Sequence, residues 1–254
     1  MLVIRRSQMA VFGHSSMDRF ERALLQHLCA TWPREFQLIG SDKGRLHTVR
    51  QIIRAAQTQG YDTSRQMSLY ATLVVSLGIG FDEDPQFDWA STALHNGAID
   101  DATARIEALA RLTIAYLGAV GGEDSEIVVR ALLRVRAYDF ADAPTSSDEA
   151  LAEDLCALMG RFWPEKLAFQ EPSPTLAMIE YALAKAARHG LDSPMGRCVF
   201  VTLSFFLGHA FDLDPMHPWA SKVLAEAGRG GTNALANALL GAGLDRLARS
   251  LDRI

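Results

Sequence analysis

Ser193-Pro-Met-Gly-Arg-Cys-Val-Phe-Val-Thr-Leu-Ser-Phe-Phe-Leu207 is the stretch on which the fold turns. Its β-branched and aromatic middle suits a strand. Its start decides for a helix, because Ser193-Pro194 supplies an N-cap residue with proline in the first helical position. A stretch 130 residues earlier carries Thr63 with Gln66 three places on, the capping-box pair. Both segments are apolar nearly all round, as buried central helices are.

Working outward, the same spacing recurs. Phe81-Asp-Glu-Asp-Pro85 returns as Phe211-Asp-Leu-Asp-Pro215, and Trp89-Ala-Ser91 as Trp219-Ala-Ser221, each 130 residues on. Trp32-Pro33 returns as Trp163-Pro164 at 131, so one residue is lost after that pair. Residues 60–95 and 190–225 align without gaps and are identical at 14 of 36 positions, far above chance. The sequence therefore predicts a tandem duplication: repeat 1 over 1–118, a linker over 119–131 that takes in most of the Gly- and acid-rich 118–125, and repeat 2 over 132–254.

Within each repeat the helical spacing is read twice. Val49, Ile52, Ile53 and Ala56 match Ile179, Ala182, Leu183 and Ala186, and both helices stop at a glycine, Gly60 and Gly190. Phe20, Leu24 and Leu28, and likewise Leu151, Leu155 and Met159, mark a first helix before each Trp-Pro pair. Ile106, Leu109, Ala110, Thr113, Ile114 and Leu117 mark the last helix, with Ala236, Leu239, Leu240, Gly243, Leu244 and Leu247 as counterparts. A short helix follows Trp89 and Trp219. The expected fold is all-α, two subdomains of roughly five helices related by a pseudo-two-fold. The alternating Leu2-Val-Ile-Arg5 and Leu133-Arg-Val-Arg136 leave room for a minor strand.

Composition bounds the function. The 254 residues are 49% hydrophobic and 22% charged, with Lys+Arg 25 against Asp+Glu 30 for a net charge of −5. That balance argues against a phosphate-gripping nucleic-acid surface or a basic membrane patch. The longest apolar run, Cys198–Leu207, is far shorter than the ~20 residues that span a bilayer. Met1-Leu-Val-Ile-Arg-Arg6 lacks the apolar stretch of a signal peptide. The three unclustered cysteines, Cys29, Cys156 and Cys198, read as reduced thiols in a cytoplasm.

Candidate chemistry is thin. Asp82 and Asp84, like Asp212 and Asp214, could chelate Ca²⁺ or Mg²⁺, but the glycine and glutamate that an EF-hand needs at positions six and twelve are Phe87 and Ala93, or His217 and Val223. The plain reading is that these aspartates cap turns, Pro85 and Pro215 fix φ, and Phe81, Phe211, Trp89 and Trp219 bury beside them. His209 and His217 lack acidic partners at metal spacing and read as exposed or capping residues. Cys198 lies in the most apolar helix, where a thiol is inert packing. Gly228-Arg-Gly-Gly-Thr-Asn233 could cradle an anion at a helix start but lacks the P-loop Lys-Ser/Thr. No metal or cofactor is expected.

Arg19-Phe-Glu-Arg22 with Gln26-His-Leu28, then Gly60-Tyr-Asp62, Leu69-Tyr70, Leu77-Gly78 and Phe81-Asp-x-Asp-Pro85 with Trp89-Ala90 resemble a family of small helical bacterial proteins encoded beside type VI secretion spike and effector genes. The resemblance covers nearly all of repeat 1 and, in repeat 2, the Leu-Gly…Phe-Asp-x-Asp-Pro…Pro-Trp-Ala core through Pro218. It departs at Asp88, where the family favours proline. It implies a non-enzymatic cytoplasmic accessory protein that binds an effector or spike protein as adaptor or chaperone, or a cognate immunity protein. An enzyme or small-molecule-binding regulator with its site at the repeat junction, using His209, His217 and Glu180, is the contrasting reading. Because function specific to one repeat should lie where exposed loop positions diverge, Phe87, His209, Met216 and His217 are the expected partner contacts, with packing under their own loop as the alternative.

Overall fold

In the computed structural model, residues 6–95, 97, 99–170, 172–225 and 232–251 are described. Among them the chain is all-α, with no strand. The helices are α1 (Arg6–Thr31), α2 (Pro33–Leu38), α3 (Asp42–Thr58), α4 (Ser64–Leu77), α5 (Asp88–Leu94), α6 (Ala102–Gly121), α7 (Glu126–Ala137), α8 (Asp148–Phe162), α9 (Pro164–Gln170), α10 (Pro172–Arg188), α11 (Pro194–Leu207), α12 (Pro218–Ala225) and α13 (Thr232–Leu251). No helix among the described residues is long and apolar enough to cross a membrane.

The helix starts and stops follow local chemistry. The Thr63 hydroxyl accepts from the Gln66 N–H while Gln66 Oε1 accepts from the Thr63 N–H, the full capping box of α4. Ser193 caps α11 by accepting from the Gly196 N–H at 3.1 Å. At the end of α3, Gly60 takes φ +79°, its N–H donates to the Gln57 carbonyl, and the buried Tyr61 donates to Ala56. Gly190, Leu191, Ala187 and Ala186 repeat that closure after α10. α11 is buried from Cys198 through Phe205, and Val49, Ile52, Ile53 and Ala56 of α3 face the core.

The same neighbour relations occur in each half of the chain. α3 packs on α4 as α10 does on α11, α4 on α6 as α11 on α13, and α5 on α6 as α12 on α13. α1 packs on α3 and α2 as α8 does on α10 and α9.

Several expectations change. The short helices after each Trp-Pro pair, α2 and α9, raise the number per half above five. Leu133–Arg136 lies inside α7, not in a strand; Leu132 and Val135 are buried there at helical spacing while Leu133 is exposed. Leu2–Arg5 and most of the 228–233 loop fall outside the described residues. The break between α6 and α7 is narrower than 119–131, confined to Gly122–Ser125, where Asp124 and Ser125 take positive φ. On α6 the buried face is Ile106, Leu109, Thr113, Tyr116 and Val120; Ile114 is 70% exposed.

Candidate functional site

The two Phe-Asp-x-Asp-Pro loops meet at the centre of the molecule. α4 and α11 each end in a glycine of positive φ, Gly78 at +101° and Gly208 at +96°. These turns lie against each other: a Cβ on Gly78 would stand 3.0 Å from the Leu207 carbonyl oxygen, and one on Gly208 would stand 3.4 Å from that of Leu77. Only glycine combines that φ with that approach.

Each loop lends the other a carboxylate. Asp84, 2% exposed, accepts from its own Gln86 N–H at 3.0 Å, as a turn cap, and from the Gln86 side-chain amide at 2.7 Å. It also accepts from the His209 N–H of the opposite loop at 2.8 Å. Asp214, equally buried, accepts from its own Met216 N–H at 2.7 Å and from the Ile79 N–H of the opposite loop at 3.4 Å. Ile79 and His209, Asp84 and Asp214, and Gln86 and Met216 are pairs at the 130-residue spacing. Both carboxylates hold two loops at once, and their desolvation is offset by these donors.

The other two aspartates do not cap turns. Asp82 Oδ2 accepts from Gln59 Nε2 and the Tyr70 hydroxyl. Asp212 is held by Lys185 Nζ and His189 Nε2. Each loop is thereby tied back to its own preceding helices.

Two cavities flank the glycine turns. One, of about 290 Å³, is lined by Ser76, Phe87, Tyr116, Trp163, Lys166 and Phe206. The other, of about 210 Å³, is lined by Glu35, Ser76, Phe206, Asp214, His217 and Arg246. Lys166 and Glu35, Phe87 and His217, and Tyr116 and Arg246 again lie 130 or 131 residues apart, but their chemistry differs. In the first cavity Lys166 is 2% exposed and donates to the Phe205 carbonyl in the last turn of α11. The rings of Phe205, Trp163 and Phe87 surround its ammonium at 4.6, 5.1 and 5.6 Å. Burial lowers this lysine to about 7, with Asp84 pulling it back up. Burial and Asp84 also hold the Tyr116 phenol above its ordinary range. In the second cavity Glu35 and Arg246 approach to 4.0 Å, and burial lowers the His217 imidazole, against opposition from Asp214.

A third concavity lies between α2 and the α12–α13 pair. It measures about 520 Å³ and is lined by Arg34, Gln37, Leu38, Trp219, Ala242 and Arg246. At the corresponding positions Phe169, Leu112, Tyr116 and Trp89 stand on α9, α6 and α5; Tyr116 and Phe169 are in ring contact at 5.2 Å, and Trp89 lies 5.5 Å from Tyr116. Large side chains occupy one side and smaller or charged ones leave the other open.

The expected partner contacts are corrected by this geometry. Phe87, His209 and Met216 are buried, and His217 is half-buried. The Phe87 ring packs on Trp89 and Tyr116, and the His209 ring on Tyr181 and against Asp84 of the opposite loop, so both are engaged within the chain. His209 Nδ1 lies 3.3 Å from Asp84 Oδ2, while Glu180 faces solvent on α10, so the three polar residues named for a junction enzyme do not converge. Trp32 and Trp163 close α1 and α8, and prolines Pro33 and Pro164 open α2 and α9. Trp163 Nε1 also donates to the Val120 carbonyl at 2.9 Å. Phe81 and Phe211 are buried as expected, whereas Trp89 and Trp219 are only half-buried. Cys198 is fully buried, its thiol pushed up to about 12 by desolvation. Among the described residues no cluster of three or more His, Cys, Asp or Glu could hold a metal ion.

Sequence reasoning missed Lys166, Glu35 and Arg246. One signal was present: of the four lysines, Lys43, Lys166, Lys185 and Lys222, the middle two sit on helices at apolar spacing, and both are buried. No family model, curated protein or solved structure matches the chain.

Proposed function

We propose that this chain is a non-enzymatic cytoplasmic binding protein, a tandem duplication whose halves pack about a pseudo-two-fold, and that it holds a type VI secretion effector or spike component as adaptor or chaperone. The observation that carries the binding reading is the Trp219 groove. It combines an apolar floor with charged flanks and is wide enough for side chains of a partner helix, and its counterpart is taken up by the chain's own rings. The exchanged contacts of Asp84 and Asp214 and the recurring helix neighbours support the duplication. The Phe-Asp-x-Asp-Pro resemblance supplies the secretion context.

The test is capture of the products of adjacent genes by the tagged full chain. Ala242→Leu, which places in the groove the side chain that Leu112 provides on the other side, should reduce capture at least tenfold at unchanged melting temperature. Full capture by that folded variant would refute the groove. Relief of a captured toxin's activity by the chain would assign the immunity role in place of loading. The second reading is a small-molecule or catalytic site at the junction, and the Lys166 cavity favours it; a metabolite retained there through purification would displace the first.

A further inference from the structure

The first aspartates of the two loops, Asp82 and Asp212, solve the same electrostatic problem differently. In the second half, Asp212 is neutralised from within the chain. Lys185 Nζ donates to Asp212 Oδ1 at 2.5 Å and to the His209 carbonyl at 3.1 Å. The Tyr181 ring lies 5.7 Å from the same ammonium, and His189 Nε2 stands 3.1 Å from Asp212 Oδ2. In the first half the position of His189 is Gln59, and its amide donates to Asp82 Oδ2 at 2.8 Å. The position of Lys185, however, is Ala55, that of Tyr181 is Gln51, and that of His209 is Ile79.

Where the second half places the Lys185 side chain, the first half has a cavity beside Ala55. It measures about 330 Å³ and its walls include Gln51, Ala55, Gln59, Ile79 and Asp82. Tyr70 and Gln59 both donate to Asp82 Oδ2, and Oδ1 accepts no hydrogen bond from the described residues. Oδ1 is the oxygen that takes the ammonium in the second half.

We propose that this cavity is a binding site for a primary alkylammonium group, with Asp82 Oδ1 as its anchor and the ammonium occupying the place that Lys185 Nζ fills beside Asp212. A carboxylate with one satisfied oxygen offers a charge-assisted hydrogen bond to such a group. Ile52 and Val74 line the same cavity and give the methylene stem an apolar wall. The ammonium can come from a lysine side chain of a bound partner or from a free amine. The site is separate from the Trp219 groove, and it rests on the binding reading only where the source is a partner's lysine.

The probe is n-butylammonium chloride, titrated into the full chain and followed by amide NMR, with n-butanol as the neutral isostere. Saturable shifts centred on Ala55, Ile79, Gly80 and Asp82 are expected with the ammonium and not with the alcohol. Asp82→Asn should weaken the response at least tenfold. Ala55→Lys is the decisive variant: it rebuilds the internal lysine, and should abolish binding and raise the melting temperature while leaving Asp82 in place. Ala55→Leu fills the cavity without charge and carries the same test if the lysine variant does not fold. Equal shifts with butanol, no saturable shift in the wild type, or an undiminished response in a folded Ala55→Lys or Ala55→Leu protein would each overturn the site. Comparing Nα-acetyl-lysine methylamide with cadaverine identifies the source: tighter binding of the former supports a partner's side chain, and of the latter a free amine. Partner capture that persists when butylammonium fails to bind would sink this pocket and leave the binding reading standing.

Discussion

Lys166 is a buried cation held almost entirely by uncharged groups. Its ammonium has a carbonyl, three aromatic faces and the field of Asp84 in place of water, and its affinity for the proton falls to about 7. In the unfolded chain a lysine titrates near ~10.4. Between these values the unfolded state binds more protons than the folded one, so this group makes stability rise with pH, and its penalty grows as pH falls toward 7. Going from pH 7 to pH 9 should raise the stability of the wild type over that of Lys166→Met by on the order of 2 kcal/mol. Urea denaturation of both proteins at the two pH values measures it, and a difference independent of pH would contradict the assignment. Little of this was legible beforehand: a lysine three places after a tryptophan reads as a solvated helix face until the helix that covers it is known.

Helices, by contrast, announce themselves at their ends. The capping box at Thr63, the Ser193-Pro194 start and the glycine stops at Gly60 and Gly190 were all readable, because each is a contact between near neighbours. The short α2 and α9 escaped since one or two turns hold too few residues to show a period. The alternation in Leu133-Arg-Val-Arg136 misled because four residues sample two-residue and helical periods almost alike. The glycines that end helices are not equivalent either. Gly60 has positive φ but nothing near its would-be Cβ, whereas Gly78 faces a backbone oxygen at 3.0 Å. Gly60→Ala should cost about 1 kcal/mol, from backbone strain alone. Gly78→Ala should cost on the order of 3 kcal/mol, from strain plus a collision that backbone must absorb. Gly241→Ala, within α13 and in open space, should instead stabilise by about 0.5–1 kcal/mol. Chemical denaturation of the three variants checks the order, and equal losses at Gly60 and Gly78 would show that the loops do not press together.

At the scale of the whole molecule, the junction is a joint that neither half completes alone. Asp84 answers a donor 125 positions away and Asp214 one 135 positions away. No local pattern could show this, although the Asp-Pro turns that place both carboxylates were plain. Opening the joint would strand two buried carboxylates and their donors together, so the halves should unfold as one. Calorimetry should give a single endotherm with equal calorimetric and van't Hoff enthalpies, and two resolved endotherms would mean that the joint is too weak to couple them. The joint also explains why divergence was a poor guide to exposure here. Ile79 and His209 differ in size and polarity, yet both are held in it, because each donates its main-chain N–H to the opposite loop's aspartate; the His209 ring adds a second approach to Asp84. The joint thus tolerates drift among its donors more readily than among its acceptors: the main-chain N–H survives a change of side chain at Ile79 or His209, although at His209 the ring's approach to Asp84 is lost, while a change at Asp84 or Asp214 removes the acceptor itself.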